Sequence, residues 1–121
     1  MSKSKYIIIV PVHKDAYAKR VTDLDDLISR MHRHVGERLA TCPLAIDGEP
    51  ITDYHFYYSA GRRKAGLEIN ERADYYAWLP ESEDIRGQAV IVKNVDGCIA
   101  PLSNGEMIRI TAAFNRMEVP A

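Results

Sequence analysis

Runs of apolar residues and their spacing divide the chain into strand and helix segments. The first strand pattern is a continuous β-branched run, which is typical of a strand covered on both faces. The second is interrupted by Pro43, and a turn at Asp47-Gly48 separates it from the third. Residues 13–21 have no clear period and are predicted to form a loop. The five predicted strands span residues 6–10, 37–46, 51–58, 67–69 and 88–93.

Apolar residues three and four positions apart predict a first helix with one apolar stripe. Thr22 is its expected N-cap, with Asp25 three residues later, and Gly36 is its expected stop. Asp26 and Arg30 are spaced to pair across one turn on the polar side. The stripe consists of Leu24, Leu27, Ile28, Met31 and Val35.

The two later helices are predicted from their start signals. Asn70 is a good N-cap for a second helix, which Pro80 would end. Ser103 and Glu106 form the pattern of a capping box at the start of a third helix. The predicted order is therefore β-α-β-β-β-α-β-α in a single domain of residues 1–121. Strands in short hairpins with helices between them indicate an α+β fold. We expect a mixed or antiparallel sheet with the helices mainly on one face, and the other face wet or used as an interface.

Charge and cysteine content limit the expected binding partners and cellular compartment. Sixteen basic and seventeen acidic residues give a net charge of −1, so any contact with nucleic acid or an anionic membrane needs a local patch. No apolar run approaches the ~20 residues that cross a bilayer, and the start does not have the pattern of a signal peptide. Cys42 and Cys98 are far apart and are expected to be buried, free thiols in a reducing cytoplasm.

Polar clusters in the sequence do not form a catalytic or metal pattern. His32 and His34 are two residues apart, so on a helix they point to different sides. His55 could act as a general base, but a half-exposed sheet position is the favoured interpretation. The acidic residues at 23, 25 and 26 suit a helix N-terminus better than a cation. We predict no catalytic, cofactor or metal site, and no enzymatic activity.

A basic hairpin tip is the most distinctive local feature. Arg62, Arg63 and Lys64 lie in the turn between Gly61 and Gly66, close to Tyr57 and Tyr58. Cations beside aromatic rings can contact phosphates and stack bases, which is the nucleic-acid interpretation. A solvated turn whose charges prevent aggregation is favoured over it, because the chain as a whole is nearly neutral.

Aromatic residues are concentrated between positions 54 and 78. Tyrosine and tryptophan are favoured at protein interfaces, because each offers a large apolar area with one polar end. Strand alternation places Tyr54, Phe56 and Tyr58 on one face and His55 and Tyr57 on the other. Some of these side chains must therefore be core, and Trp78, with the tyrosines that are not core, is the candidate protein contact.

Four short segments follow one another in a distinctive order and spacing. They are Val35-Gly36, Gly66-Leu67-Glu68-Ile69-Asn70 with Ala73, Ile85-Arg86-Gly87-Gln88-Ala89-Val90-Ile91-Val92, and Leu102-Ser103 with Glu106. Together they resemble a family of small domains of unknown function carried by bacteriophages, plasmids and conjugative elements. The resemblance covers roughly residues 22–110. One pair departs from the family pattern, since Ser59-Ala60 stands where the family usually has Asn-Glu.

The resemblance implies an accessory protein of a mobile element. We therefore expect a non-enzymatic protein that binds and modulates a host protein in the host cytoplasm, such as an inhibitor of a defence system. One alternative is a nucleic-acid-binding protein that uses the tip at residues 62–64. Another is a protein that binds a nucleotide or other small molecule. A homodimer through an uncovered edge or sheet face is a further expectation.

Overall fold

The computed structural model describes residues 4–46, 49–61, 66–80 and 82–116. Within these residues the chain forms a six-stranded antiparallel sheet and three helices, so the α+β fold is confirmed. In chain order the elements are β1 (Lys5–Val10), β2 (Tyr17–Val21), α1 (Leu24–Val35), β3 (Leu39–Ile46), β4 (Glu49–Ser59), α2 (Glu71–Tyr75), β5 (Ala89–Val95), β6 (Cys98–Ala100) and α3 (Asn104–Arg116).

The sheet has the strand order β2-β1-β5-β4-β3, and β6 pairs with the second half of β5. All pairs are antiparallel, which decides between the mixed and antiparallel sheets that the sequence allowed. The apolar strands β1 and β5 lie side by side in the middle, and β2 and β3 form the two outer edges.

Both faces of the sheet are covered. Ile8 and Ile91 face α2 and α3, whereas Ile7 and Val90 on the same strands face α1. This explains the continuous apolar pattern of β1, because residues on both sides of a doubly covered strand must be apolar. Two of the three helices share one face, as expected, but the opposite face is packed against α1 and is not free for a partner.

The segment predicted as a loop contains β2, so that prediction is wrong for residues 17–21. Register pairs run from Lys5 with Val21 to Ile9 with Tyr17. The strand was missed because it is an outer edge, where Val21 is its one buried side chain and no apolar alternation is needed. Lys19 and Arg20 are exposed there, and such charges discourage pairing with a further strand.

The strand β6 and the segment at residues 67–69 also differ from expectation. Asp96 and Gly97 have φ of 50° and 82°, so a tight two-residue turn joins β5 to the unpredicted β6. Residues 67–69 do not form a strand, and Ile69 makes one isolated bridge with Arg86. The reason is that β3 and β5 occupy both edges of β4, which leaves no edge for a return strand.

The start of α1 is one residue later than predicted. Asp23, not Thr22, is the N-cap, and its Oδ1 accepts a hydrogen bond from Asp26 N at 2.8 Å. Asp26 completes a reciprocal cap, since its Oδ2 accepts from Thr22 N at 2.9 Å. Leu24 is exposed and does not belong to the buried stripe. The Asp26–Arg30 pair and the stop at Gly36, whose φ is 126°, are confirmed.

Asn70 caps α2, as predicted, and its side chain is fully buried. Its Oδ1 accepts from Ala73 N at 3.2 Å. Its Nδ2 donates to Val10 O at 2.8 Å and to Gly87 O at 2.9 Å. One side chain therefore joins the start of α2 to the end of β1 and to the residues that lead into β5.

We expect Asn70→Asp to lower the free energy of unfolding by about 2–4 kcal/mol. The substitution keeps the capping oxygen, but it replaces the donor to Val10 O and Gly87 O with a buried carboxylate oxygen. Urea denaturation followed by circular dichroism measures the change. The same substitution at the exposed Asn104, in the first turn of α3, is the matched control and should change stability by less than about 0.5 kcal/mol. Equal effects at both positions would contradict the role given to Asn70.

Candidate functional site

The chain after α2 runs along the outer edge of β3. Trp78 N donates to Pro43 O at 2.9 Å, and Ala45 N donates to Tyr76 O at 2.6 Å. The carbonyl of Pro43 therefore points away from β4. An N–H at the same residue would point to the same outer side, so the proline costs β3 no hydrogen bond to β4. The register shifts between Pro43 and Leu44. These bonds hold residues 75–78, the aromatic segment, against the sheet.

Side chains in the aromatic segment point in two directions. Tyr76 and Ala77 pack against the core. Tyr75 and Trp78 point outward and are 63% and 48% exposed. The ring of Tyr75 meets that of Tyr76 edge-on at 5.1 Å. The helix was expected to continue towards Pro80, but α2 ends at Tyr75. The backbone groups that follow, the Tyr76 carbonyl and the Trp78 N–H, form hydrogen bonds with the edge of β3 instead.

Beneath this segment lies an apolar pocket of about 190 Å³. The ring of Phe114 lies 4.6 Å from that of Tyr76 and 5.9 Å from that of Phe56, so its position is fixed by aromatic packing. The pocket thus opens between α3, the aromatic segment and the face of β3 and β4. Its lining consists of Leu44, Tyr54, Tyr76, Arg109, Ile110, Ala113 and Phe114.

A network of polar side chains borders the pocket around Glu106, which is buried. Ser103 N donates to Glu106 Oε1 at 3.0 Å and Glu106 N donates to Ser103 Oγ at 3.2 Å, so the predicted capping box is confirmed. Tyr54 Oη donates to Oε2 at 2.5 Å, and Lys93 Nζ lies 3.2 Å from the same oxygen. The carboxylate therefore links α3 to β4 and β5.

This network shifts the pKa values of its two acidic groups, Glu106 and Tyr54, in opposite directions. Burial by itself would raise the pKa of Glu106, but the hydrogen bonds from Tyr54, Ser103 and Lys93 outweigh it and lower the pKa to about 2. Burial, together with the bond to Glu106 and its negative charge, raises the pKa of Tyr54 to about 12. Near neutral pH the pair is one carboxylate and one phenol.

Arg109 brings a further positive charge to the pocket. It lies one helical turn after Glu106 and is exposed. Its Nε is 3.4 Å from Gly105 O, a long hydrogen bond, and no ion pair of Arg109 is found among the described residues. The capping-box pattern identified Glu106 in the sequence. No sequence pattern identified Lys93 or Arg109, because only the folded sheet and helix bring them close to this pocket.

The structure places the predicted contact residues in three environments. Tyr58 is only 3% exposed and packs in the core on the side of α3, so it cannot stack on a base. Tyr57 is partly buried on the opposite face, against the α1 side. Trp78 is exposed, as an interface residue should be. The tip residues Arg62, Arg63 and Lys64 lie outside the described residues, so the nucleic-acid interpretation stays a prediction.

The remaining candidate residues have structural partners. His32 Nδ1 lies 2.9 Å from Gly36 O, and His34 Nδ1 lies 3.3 Å from Gln88 Oε1. Burial lowers the pKa of His55, whose Nδ1 lies 3.3 Å from Thr41 Oγ1 rather than beside a carboxylate. Cys42 is buried as expected. Cys98 was also expected to be buried, but it lies in β6 and is exposed. In the described part of the chain, no cluster of three or more His, Cys, Asp or Glu side chains is arranged to hold a metal.

A comparison of the chain with protein-family models, curated proteins and solved structures finds no match. Among the described helices, none is both long and apolar enough to cross a bilayer. The described residues thus present two separate candidate sites, the outward aromatic residues Tyr75 and Trp78 and the apolar pocket beside them.

We expect Glu106 to make the protein acid-sensitive. Because its pKa is about 2 when folded and 4.5 when free, the stability that it contributes is complete above pH 5 and is lost as the pH falls towards 2. The expected loss is about 2–3 kcal/mol. Glu106→Gln should be less stable than the wild type at pH 7, and the difference should shrink below pH 4.

Urea titrations of both proteins at several pH values test this. Glu83→Gln is the control, since that glutamate is exposed and its side chain forms no ion pair or hydrogen bond with another described residue. A constant difference between wild type and Glu106→Gln from pH 7 to pH 2 would show that the carboxylate is not held in its ionised form.

Proposed function

We propose that this chain is a non-enzymatic accessory protein of a phage or other mobile element, and that it binds and modulates a host protein in the host cytoplasm. A host defence system is the class of target that this setting favours. The setting is taken from the resemblance described above. The mode of action is argued from the aromatic segment.

The observation that carries the proposal is the outward placement of Tyr75 and Trp78. Both side chains belong to the residue types that dominate the binding energy of protein interfaces. Their backbone is tied to β3 by the hydrogen bonds at Pro43 and Ala45, so little freedom is lost when a partner binds. Tyrosine and tryptophan are enriched at protein interfaces because each has a large apolar body and one polar end.

The homodimer stays a second candidate, and the two sheet edges differ in a way that favours it at β3. The edge strand β2 carries Lys19 and Arg20, whereas β3 has no charged residue along Leu39–Ile46. The aromatic segment pairs with the second half of β3 only. The first half is therefore an uncharged outer edge, which can pair with another strand.

We expect Trp78→Ala to reduce partner capture at least about tenfold, and Tyr75→Ala to reduce it to a smaller or similar degree. The Trp78 backbone bond to Pro43 is kept by alanine, so the fold should be unchanged. The immobilised variants are exposed to bacterial host lysate, and bound proteins are quantified by mass spectrometry. Tyr17→Ala is the matched control, since Tyr17 is a 39% exposed tyrosine on the opposite sheet edge.

A protein that is retained by the wild type and Tyr17→Ala, but lost with Trp78→Ala, supports the proposal. If every captured protein is retained equally by all the variants, the aromatic pair is not the recognition surface. Light scattering at several concentrations decides the homodimer separately, because a β3 dimer would double the mass without any lysate protein.

A further inference from the structure

The pocket beside the aromatic segment has a composition that selects one chemical class of ligand. Its walls are apolar or aromatic apart from Arg109 and the hydroxyls of Tyr54 and Tyr76, and the Tyr54 hydroxyl already donates to Glu106. A site with mostly apolar walls and a few placed polar groups is typical of small-molecule binding. The ligand should therefore have an apolar body and one polar end.

The charge at the pocket mouth is positive. The carboxylate of Glu106 is already bound by Tyr54, Ser103 and Lys93, so it does not neutralise Arg109. The N–H groups of the Arg109 guanidinium other than Nε have no protein acceptor among the described residues. Guanidinium groups bind carboxylates in two parallel hydrogen bonds, and this matches an anionic end on the ligand.

The pocket volume limits the apolar part to one ring. Its volume is about 190 Å³, and an apolar cavity of ~150 Å³ accommodates a benzene molecule. The aromatic faces of Tyr76 and Phe114 are already fixed by their contact at 4.6 Å, so a planar ring can pack against them without moving the core.

We propose that this pocket binds a small carboxylic acid with a single aromatic ring. The ring lies between Ile110 and the Tyr76 and Phe114 side chains, and the carboxylate pairs with Arg109 at the mouth. This site is independent of the proposed partner surface, because Tyr75 and Trp78 point outward and do not line the pocket.

Phenylacetate is the probe, and phenylacetamide, which has the same shape without the charge, is its control. Titration is followed by NMR of the methyl groups of Leu44 and Ile110, which line the pocket. We expect a dissociation constant on the order of 0.1–1 mM, because about ten non-hydrogen atoms in so small a site give limited binding energy. Phenylacetamide should bind about tenfold more weakly.

Three variants locate the interaction. Arg109→Gln should weaken phenylacetate binding about tenfold and leave phenylacetamide binding unchanged. Ala113→Leu, an exposed helix position that lines the pocket, should block both probes by filling the space. Arg33→Gln, on an exposed position of α1 across the sheet, should change neither.

The proposal is overturned if about 10 mM phenylacetate shifts neither methyl signal in the wild type. It is also overturned if Arg109→Gln binds phenylacetate as well as the wild type does, since the carboxylate is then not recognised. Trp78→Ala should bind phenylacetate normally. Loss of the lysate partner with intact phenylacetate binding therefore separates the two proposals.

Discussion

The carboxamide of Asn70 is the contact on which the architecture of one whole face depends. A single buried side chain caps α2, donates to the last residue of β1 and donates to the residues that enter β5. The backbone of Asn70 adds a bond from its N–H to Ile85 O at 2.8 Å. Because α2 is only five residues long, it cannot be stable alone, and its position comes from these bonds. The aromatic segment begins at the last residue of α2, so the same contact sets where Tyr75 and Trp78 emerge and where the pocket opens.

Several residues that carry the family resemblance meet at this contact. Gly87 receives the Asn70 hydrogen bond, and its own N–H donates to Glu68 O at 2.7 Å. Its φ is 76°, and a Cβ there would lie 3.0 Å from Cδ1 of Leu67, so both conformation and space favour glycine. Ala73 is fully buried against the sheet one helical turn after the cap. Asn70, Ala73 and Gly87 in this pattern, with Leu67 beside Gly87, are thus explained by capping and packing.

Local sequence patterns predicted the helices that have clear capping residues and the strands that have long apolar runs. The remaining strands are set by contacts between distant parts of the chain. The capping box at Ser103 and the cap at Asn70 were found because their partners are three residues away. The edge strand β2 and the short strand β6 were missed because each needs only one neighbour and has little apolar pattern. Tyr58 was placed on the correct face of its strand, but its burial depends on residues from α2, α3 and other strands that only the folded chain brings to that face. The pocket could not be predicted, since Lys93, Arg109 and Tyr54 approach one another only in the folded sheet.

The electrostatics of the pocket favour binding over proton transfer at this site. A general acid or base works best when its pKa is near the working pH. The pKa values of Glu106 and Tyr54, about 2 and about 12, lie far below and far above neutral. To exchange a proton, Glu106 would have to give up the hydrogen bonds that cap α3 and join it to β4 and β5. The carboxylate of Glu106 therefore contributes to the stability of the fold. Among the described residues that line the pocket, Arg109 is the charged one, and apolar and aromatic side chains form most of the remaining surface.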